Sequence, residues 1–167
     1  MTQTNPAEKD KRSMVIRTSK PEWRKAVKDK KNGEVRQQSP CGILQKQHEN
    51  LLNSIRSSHG LKPIINSKKL SEISYLYATE MAKAGNLSHV GPDGSDFSTR
   101  ALRGEYKGFP RAENIAWNYA NLETVVTGWM TSPGHRKNIL ISDVTDVGIG
   151  YFQCAKHEHW WVQLFGN

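Results

Sequence analysis

Trp129-Met130-Thr131-Ser132-Pro133-Gly134-His135-Arg136-Lys137-Asn138-Ile139-Leu140 is the stretch of this chain that decides the fold. It closes one helical pattern and opens another. Upstream, Asn121 predicts an N-cap for a helix whose apolar residues recur at helical spacing as far as Met130. Ser132-Pro133 then predicts a second, short helix, because serine caps helices and proline suits their first position. The chain therefore turns between two helices, with His135 near the start of the second.

Four further segments stand in a fixed order around this stretch. Leu87-Ser88-His89 and Ala112-Glu113-Asn114-Ile115-Ala116 precede it, and Val147-Gly148-Ile149-Gly150-Tyr151 and Trp160-Trp161-Val162-Gln163-Leu164-Phe165-Gly166 follow it. In this order, over residues 48–166, the segments resemble the CAP superfamily. That superfamily groups cysteine-rich secretory proteins, antigen 5 and plant pathogenesis-related proteins around a shared SCP domain. The short spacing from Trp129 to His135 resembles its compact bacterial-type members.

Helices are predicted where apolar residues recur every three or four positions after a cap residue, and strands where they alternate. The helices are expected to begin at Ser39-Pro40, at Asn66 or Ser67, at Ser95, at Asn121 and at Ser132, and the strands to span 113–119, 146–153 and 159–165. We expect Ile115 and Trp129 to lie in the core that joins helix to sheet. This order of elements indicates the α+β class. The resemblance implies a three-layer α-β-α sandwich with a mainly antiparallel sheet.

Charge divides the chain into two parts. Residues 1–40 contain eleven Lys and Arg against five Asp and Glu, whereas residues 41–167 contain thirteen against eleven. Because the first part also has little apolar surface to offset the entropy of ordering, we predict a disordered basic extension over 1–38 and a CAP/SCP domain over 39–167. We expect a solvated tail with no single partner, in which the positive charge leaves contact with anionic surfaces open, and nothing in it indicates specific nucleic-acid binding.

The compartment follows from the resemblance rather than from a targeting segment. No secretory signal and no transmembrane segment is visible in the sequence. The resemblance implies an extracellular protein, and a cytoplasmic protein is the alternative. Cys41 and Cys154 are consistent either with one disulfide or with two thiols.

The resemblance also implies a cleft lined by two histidines and two acidic residues, which binds a divalent metal in several members. By motif position these are His89, Glu113 and His135, with Ser132 where the second acid would stand. Two imidazoles and one carboxylate are acceptable ligands for Zn²⁺. We therefore predict a cleft formed by these four residues, in which His89, Glu113 and His135 bind Zn²⁺ or another divalent cation weakly.

Two other interpretations of these residues stay open. His89, Glu113 and His135 are equally consistent with a structural network of hydrogen bonds, because buried polar groups are normally paired. Ser132, His135 and Glu113 also have the composition of a hydrolytic triad. Since a serine before a short helix is adequately explained as its N-cap, we expect Ser132 to be a cap rather than a nucleophile.

Three functions are consistent with the sequence. The first is a non-enzymatic CAP/SCP domain, extracellular or surface-acting, whose His/Glu cleft binds a metal and an unknown ligand or protein partner. The second is a metal-assisted hydrolase or protease with Glu113 and His135 as candidate catalytic residues. The third is a lipid-binding protein for a fatty acid or sterol. We favour the first, because a missing metal ligand and the lack of an activated nucleophile weaken catalysis more than binding.

Overall fold

A four-stranded sheet with helices on both faces forms the domain. The computed structural model of the protein describes residues 40–167, with side chains from Gly42 onward. The strands are β1 (Ile65–Asn66), β2 (Pro110–Trp117), β3 (Asp146–Gln153) and β4 (His159–Gly166), in the order β1-β3-β4-β2. β3 and β2 pair antiparallel with β4, while the short β1 runs parallel to β3. The sheet is therefore mixed, and mainly antiparallel as expected.

One face of the sheet carries three helices, α1 (Pro40–Ser58), α4 (Leu122–Thr131) and α5 (Pro133–Ile139). Trp129 of α4 lies in the core on this face and donates its indole N–H to the carbonyl of Ile115 at 3.2 Å. Arg56, fully buried near the end of α1, donates to the carbonyls of Ile139 and Ile141, each at 2.8 Å. These contacts satisfy orphan carbonyls at the end of α5 and fix that helix on α1.

The opposite face carries α2 (Lys68–Ala84) and α3 (Phe97–Arg103). Ser67 caps α2 by accepting from the Leu70 N–H, and Gly85 ends it in a left-handed conformation. α2 lies so close to β3 that a Cβ on Gly150 would stand 2.1 Å from the Ser74 carbonyl carbon. Glycine at this strand position therefore allows the helix backbone to approach the sheet.

Helices, sheet and helices make the three layers of the α-β-α sandwich, which confirms the predicted fold class. The strand predictions hold for β3 and β4, and β2 begins earlier than expected, at Pro110. Asn121 caps α4 as predicted and forms a capping box with Thr124. The expected extension over 1–38 lies outside the described residues.

Three sequence-based expectations are corrected by the tertiary contacts. Asp96 caps α3, not Ser95, because Ser95 is held in the preceding turn by the Asp93 carboxylate. Ile115 is buried as expected, but its side chain packs on the α2 face while Trp129 packs on the other. Ser132 stands at the start of α5 without a side-chain capping hydrogen bond.

Candidate functional site

The loop that follows α2 presents His89. Two side chains from the α2 face of the sheet hold the backbone of this loop. Tyr77 donates its hydroxyl to the carbonyl of Ser88, and Arg100 donates to the carbonyl of His89 at 3.3 Å. Ser88 itself closes a tight turn by accepting from the N–H of Val90. Backbone anchors on both sides of the Cα thus fix where the imidazole of His89 stands, although its side chain is 53% exposed.

Glu113 of β2 points its carboxylate at this loop. The side chain is only 1% exposed, and each of its oxygens has a charged or polar partner. Oε1 lies 2.9 Å from Nδ1 of His89, and Oε2 accepts from Nη2 of Arg100 at 2.7 Å. A buried carboxylate is tolerated in a protein when it is paired in this way. Because Nδ1 faces Glu113, the exposed atom of the His89 ring is Nε2.

Arg100 of α3 is the centre of this arrangement. It is 8% exposed, and its guanidinium also donates to the carbonyl of Ser95 at 2.7 Å. The guanidinium carbon lies 3.4 Å from the centroid of the Tyr77 ring, which is a cation-π geometry. Arg100 therefore ties α3, the loop carrying His89 and the buried carboxylate of Glu113 to the α2 face of the sheet.

His135 approaches the same region from α5. Its ring is half-buried, and burial, with a smaller contribution from the nearby charge of His89, lowers its pKa. The backbone carbonyl of His135 accepts from the side chain of Asn114 at 3.2 Å. Within residues 42–167 no hydrogen bond joins the His135 ring to Glu113. The structure therefore brings His89 into contact with Glu113, with His135 near enough to His89 for their charges to interact.

A chain of buried amides supports α5 beneath His135. Asn138 donates to the side-chain oxygen of Asn114 at 2.8 Å and to the carbonyl of Glu113 at 3.3 Å. Asn114 in turn donates to Gln163 of β4 at 2.8 Å, and Gln163 faces Nε2 of His48 at 2.7 Å. The network runs from α1 through β4 and β2 to α5. It fixes the register of the helix that carries His135.

Ser132 lies at the junction of α4 and α5. In the described part of the chain its side chain makes neither the hydrogen bond expected of an N-cap nor one to His135 or Glu113, as expected of a catalytic triad. A nucleophile needs its base within hydrogen-bond reach. The arrangement therefore offers no support for an activated serine.

A depression of about 380 Å³ opens over the His89–Glu113 pair. Its polar lining includes both acidic and basic side chains, and Phe97 contributes an aromatic ring. Its lining residues are His89, Val90, Asp96, Phe97, Arg111, Ala112, Glu113 and Asn138. We call this depression the cleft; of the four residues expected to form it, His89 and Glu113 line it, whereas Ser132 and His135 are not among its lining residues.

The donor set fits a divalent cation poorly as the side chains stand. Glu113 is paired with a guanidinium, and no group of three or more His, Cys, Asp or Glu side chains among residues 42–167 is arranged to hold a metal ion. Atoms that do suit a soft divalent ion are the ring nitrogens of His89 and His135. Weak metal binding through these residues stays a prediction.

Sequence reasoning missed the two groups that organise the site. Arg100 lies on a short helix among other charged residues, where an arginine is usually solvated, and nothing in its spacing marks it as buried. Asn138 was visible in the stretch 129–140, but its partners lie on β2. The only sequence feature that could have pointed to these two residues is that Arg100 follows His89, and Asn138 follows His135, within a short stretch of chain.

Comparison with known proteins places this fold and site in a family. A model of the cysteine-rich secretory protein family, CAP, matches residues 49–165. The chain therefore belongs to the CAP family, as its motifs indicated. The matched region contains all four residues named for the site, together with Arg100 and Asn138.

Two proteins of Bacillus subtilis (strain 168) are similar in sequence. The membrane protein YlbC is 33% identical over 126 residues, which cover 75% of this chain and 35% of YlbC. YkwD is 33% identical over 142 residues, which cover 84% of this chain and 53% of YkwD. The chain thus spans about a third of the one and about half of the other.

A solved structure supports the same fold. An extracellular protein containing an SCP domain from Bacillus anthracis str. Ames superposes with a TM-score of 0.70 at 25% identity. The match covers 81% of this chain and 45% of that one.

Proposed function

We propose that this CAP-family domain is a non-enzymatic binding module that acts outside the cell or at a surface and takes a ligand or protein partner in the cleft. The observation that carries the proposal is the pairing of Glu113. Both of its oxygens are engaged inside the protein, by His89 and by Arg100. A carboxylate with both oxygens occupied has none free to lie within hydrogen-bond reach of an attacking water, as a general base must. The cleft instead presents fixed donors and acceptors, which is what recognition needs.

The location outside the cell is inferred from the similar proteins. The Bacillus anthracis structure is that of an extracellular protein, and YlbC is a membrane protein. No helix within residues 40–167 has the length and apolar character to cross a membrane. Expression of the native gene followed by fractionation would test the location, and recovery of the chain in the cytoplasmic fraction alone would contradict it.

Binding in the cleft is testable by NMR without knowing the natural ligand. Amide spectra of the full chain are recorded during titration with acetate, inorganic phosphate, N-acetylglucosamine and Zn²⁺ as separate probes. We expect the largest shifts at His89, Phe97, Arg111 and Asn138 for at least one probe. Phe97→Ala is expected to weaken that response, while Leu102→Ala on the exposed side of α3 leaves it unchanged. Shifts that fall consistently elsewhere would contradict the proposal.

The enzymatic alternative is tested on the same protein. If Zn²⁺ and the His89–Glu113 pair supported hydrolysis, a fluorescent casein or a p-nitrophenyl ester would be turned over by the wild type. We expect no turnover above that of His89→Ala, with or without added Zn²⁺. A Zn²⁺-dependent activity that His89→Ala removes would replace the binding proposal with the hydrolase.

Lipid binding is a second candidate, and one surface supports it. A groove of about 410 Å³ runs between α1 and α4. Its apolar part is formed by Leu51, Ile55, Val126 and Met130, and its polar part by Ser58, His59, Glu123, Thr127 and Thr131. It continues into a second depression, where Arg136 and Lys137 stand beside Met130 and Leu140. An apolar groove with cations at one end suits a fatty acid, whose carboxylate would meet the cations.

The lipid candidate is tested with radiolabelled palmitate. We expect saturable binding that Met130→Glu abolishes, because a carboxylate at this half-buried groove position would be unfavourable beside the alkyl chain and would repel the lipid carboxylate. Val90→Glu, at an exposed valine outside the groove, is the control. Equal binding by wild type and Met130→Glu would remove this candidate and leave the cleft proposal untouched.

A further inference from the structure

We propose that Arg100 is the buried counter-ion of Glu113 and, without lining the cleft itself, keeps divalent metals from using this carboxylate. The inference rests on the cleft assigned under the proposed function, and it says which ligands that cleft disfavours. Because Glu113 is already paired inside the protein, the cleft is a poor site for a metal ion that needs this carboxylate as a ligand. The charge of Arg100 would then weaken metal binding independently of Ser132, which stands where the resemblance implies a second acidic residue.

Arg100 and Glu113 form an ion pair in the interior. Glu113 is the carboxylate that Arg100 contacts, at 2.7 Å, and both side chains are more than nine-tenths buried. The neighbouring cation of the same helix, Arg103, pairs instead with Asp93 at the surface. Arg100 therefore pairs specifically with Glu113, while the exposed carboxylate of Asp93 is paired with Arg103.

The guanidinium is fixed in place by several contacts at once. It donates to the carbonyls of Ser95 and His89 and lies over the ring of Tyr77. Swinging it out to make room for a metal would break these hydrogen bonds and leave buried carbonyls unpaired, which is unfavourable. Arg100 consequently stays beside Glu113 when a metal approaches.

A divalent ion coordinated by Glu113 would stand a few ångströms from the guanidinium. The repulsion between a double and a single positive charge at that separation is substantial even when screening is strong. It would lower the affinity for the metal by at least about tenfold relative to a neutral side chain at position 100.

Arg100→Gln tests the inference, because glutamine retains donors for the carbonyls and removes the charge. Calorimetric titration with Zn²⁺ alone is compared for the wild type, Arg100→Gln, Arg100→Gln/Glu113→Gln and Arg103→Gln. We expect at least about tenfold tighter Zn²⁺ binding by Arg100→Gln, and loss of that gain in the double variant. Arg103→Gln makes the same change in net charge nearby and is expected to bind as the wild type does.

Unchanged Zn²⁺ affinity in folded Arg100→Gln, or an equal gain in Arg103→Gln, would overturn the role of Arg100. If Arg100→Gln does not fold, the inference is tested on the wild type by NMR. During Zn²⁺ titration the Nη2–H resonance of Arg100 is expected not to shift, because Nη2 keeps its hydrogen bond to Glu113. A shift of that resonance that saturates with Zn²⁺ would show the pair opening to admit the metal, and would overturn the inference. If none of the organic probes bound in the cleft, the proposed function would fail, but the comparison of Zn²⁺ affinities among the variants would still test the role of Arg100.

Discussion

Trp129 shows at the scale of a single residue how the sequence pattern becomes core. The ring is buried on the face of the sheet that α1 covers, and its N–H is paired with the carbonyl of Ile115. We expect Trp129→Ala to lower the free energy of unfolding by about 3–5 kcal/mol, the range for deleting a large buried aromatic. Trp117→Ala is the control, because that ring is 44% exposed. Urea unfolding would contradict the assignment if the two losses were equal.

His48 is a buried titratable group with a consequence for stability. Burial lowers its pKa to about 3, with Glu49 opposing the shift, so the folded protein keeps the ring neutral. In the unfolded chain the ring takes up a proton near pH 6.5. Between pH 6.5 and 3 the unfolded state therefore binds more protons, and stability falls as the pH falls.

We expect this group to remove about 2 kcal/mol of stability between pH 7 and pH 5. His48→Gln keeps an amide opposite Gln163 and cannot titrate, so its stability should depend less on pH over that interval. The measurement is urea unfolding of both proteins at the two pH values. His135, whose pKa is also lowered, is present in both and cancels. Parallel pH dependences would refute the role of His48.

Helix starts that look equivalent in sequence differ at the scale of the element. Ser67 and Asn121 accept hydrogen bonds from the backbone of α2 and α4, whereas Ser132 accepts none from α5. We expect Asn121→Ala to cost about 1 kcal/mol, the usual value of a cap. Ser132→Ala is expected to stay within about 0.5 kcal/mol of wild type, as for an ordinary surface change. Thermal unfolding of the two variants decides, and equal losses would restore the cap at Ser132.

The packing of α2 on β3 gives a second test at this scale. A Cβ on Gly150 would meet the backbone of Ser74 and Tyr75 at 2.1–2.2 Å, and backbone atoms have no rotamer to relieve the contact. We expect Gly150→Ala to lose about 3 kcal/mol or more, at the upper end for an overpacked site. Gly134→Ala is the matched control, because a Cβ there meets nothing within 4 Å. A tolerated Gly150→Ala, judged by urea unfolding, would mean that α2 lies farther from the sheet.

At the scale of the whole molecule, the basic segment 1–38 is expected to be dispensable for the folded domain. Its charge excess and lack of apolar periodicity are the reasons, and its residues lie outside those the structure describes. Limited trypsin digestion should quickly leave a resistant fragment that begins near Ser39, since unprotected Lys and Arg are cleaved first. Mass spectrometry identifies the fragment. Persistence of the full-length chain under those conditions would contradict the division into extension and domain.

Much of the fold was readable because it depends on local spacing. The apolar periodicity of α2 and α4, the cap at Asn121 and the alternation of β3 each report on neighbours within a few residues. Motif order then placed the chain in its family, and the resemblance assigned His89, Glu113 and His135 to one cleft. The structure brings His89 into contact with Glu113. The sequence-based expectation that all three residues bind a metal is untested, and the pairing of Glu113 with Arg100 argues against its carboxylate as a ligand.

Only the tertiary structure decided what Glu113 is paired with. Arg100 and Asn138 look in sequence like polar residues of helix surfaces, and their partners lie on β2 and in the loop after α2. The face of Ile115 and the missing cap at Ser132 were likewise settled by packing across the sheet. Periodicity determines which side of an element is apolar, because that depends on the geometry of one segment. It carries no information on which distant side chain meets a buried charge, because that depends on how separate segments dock.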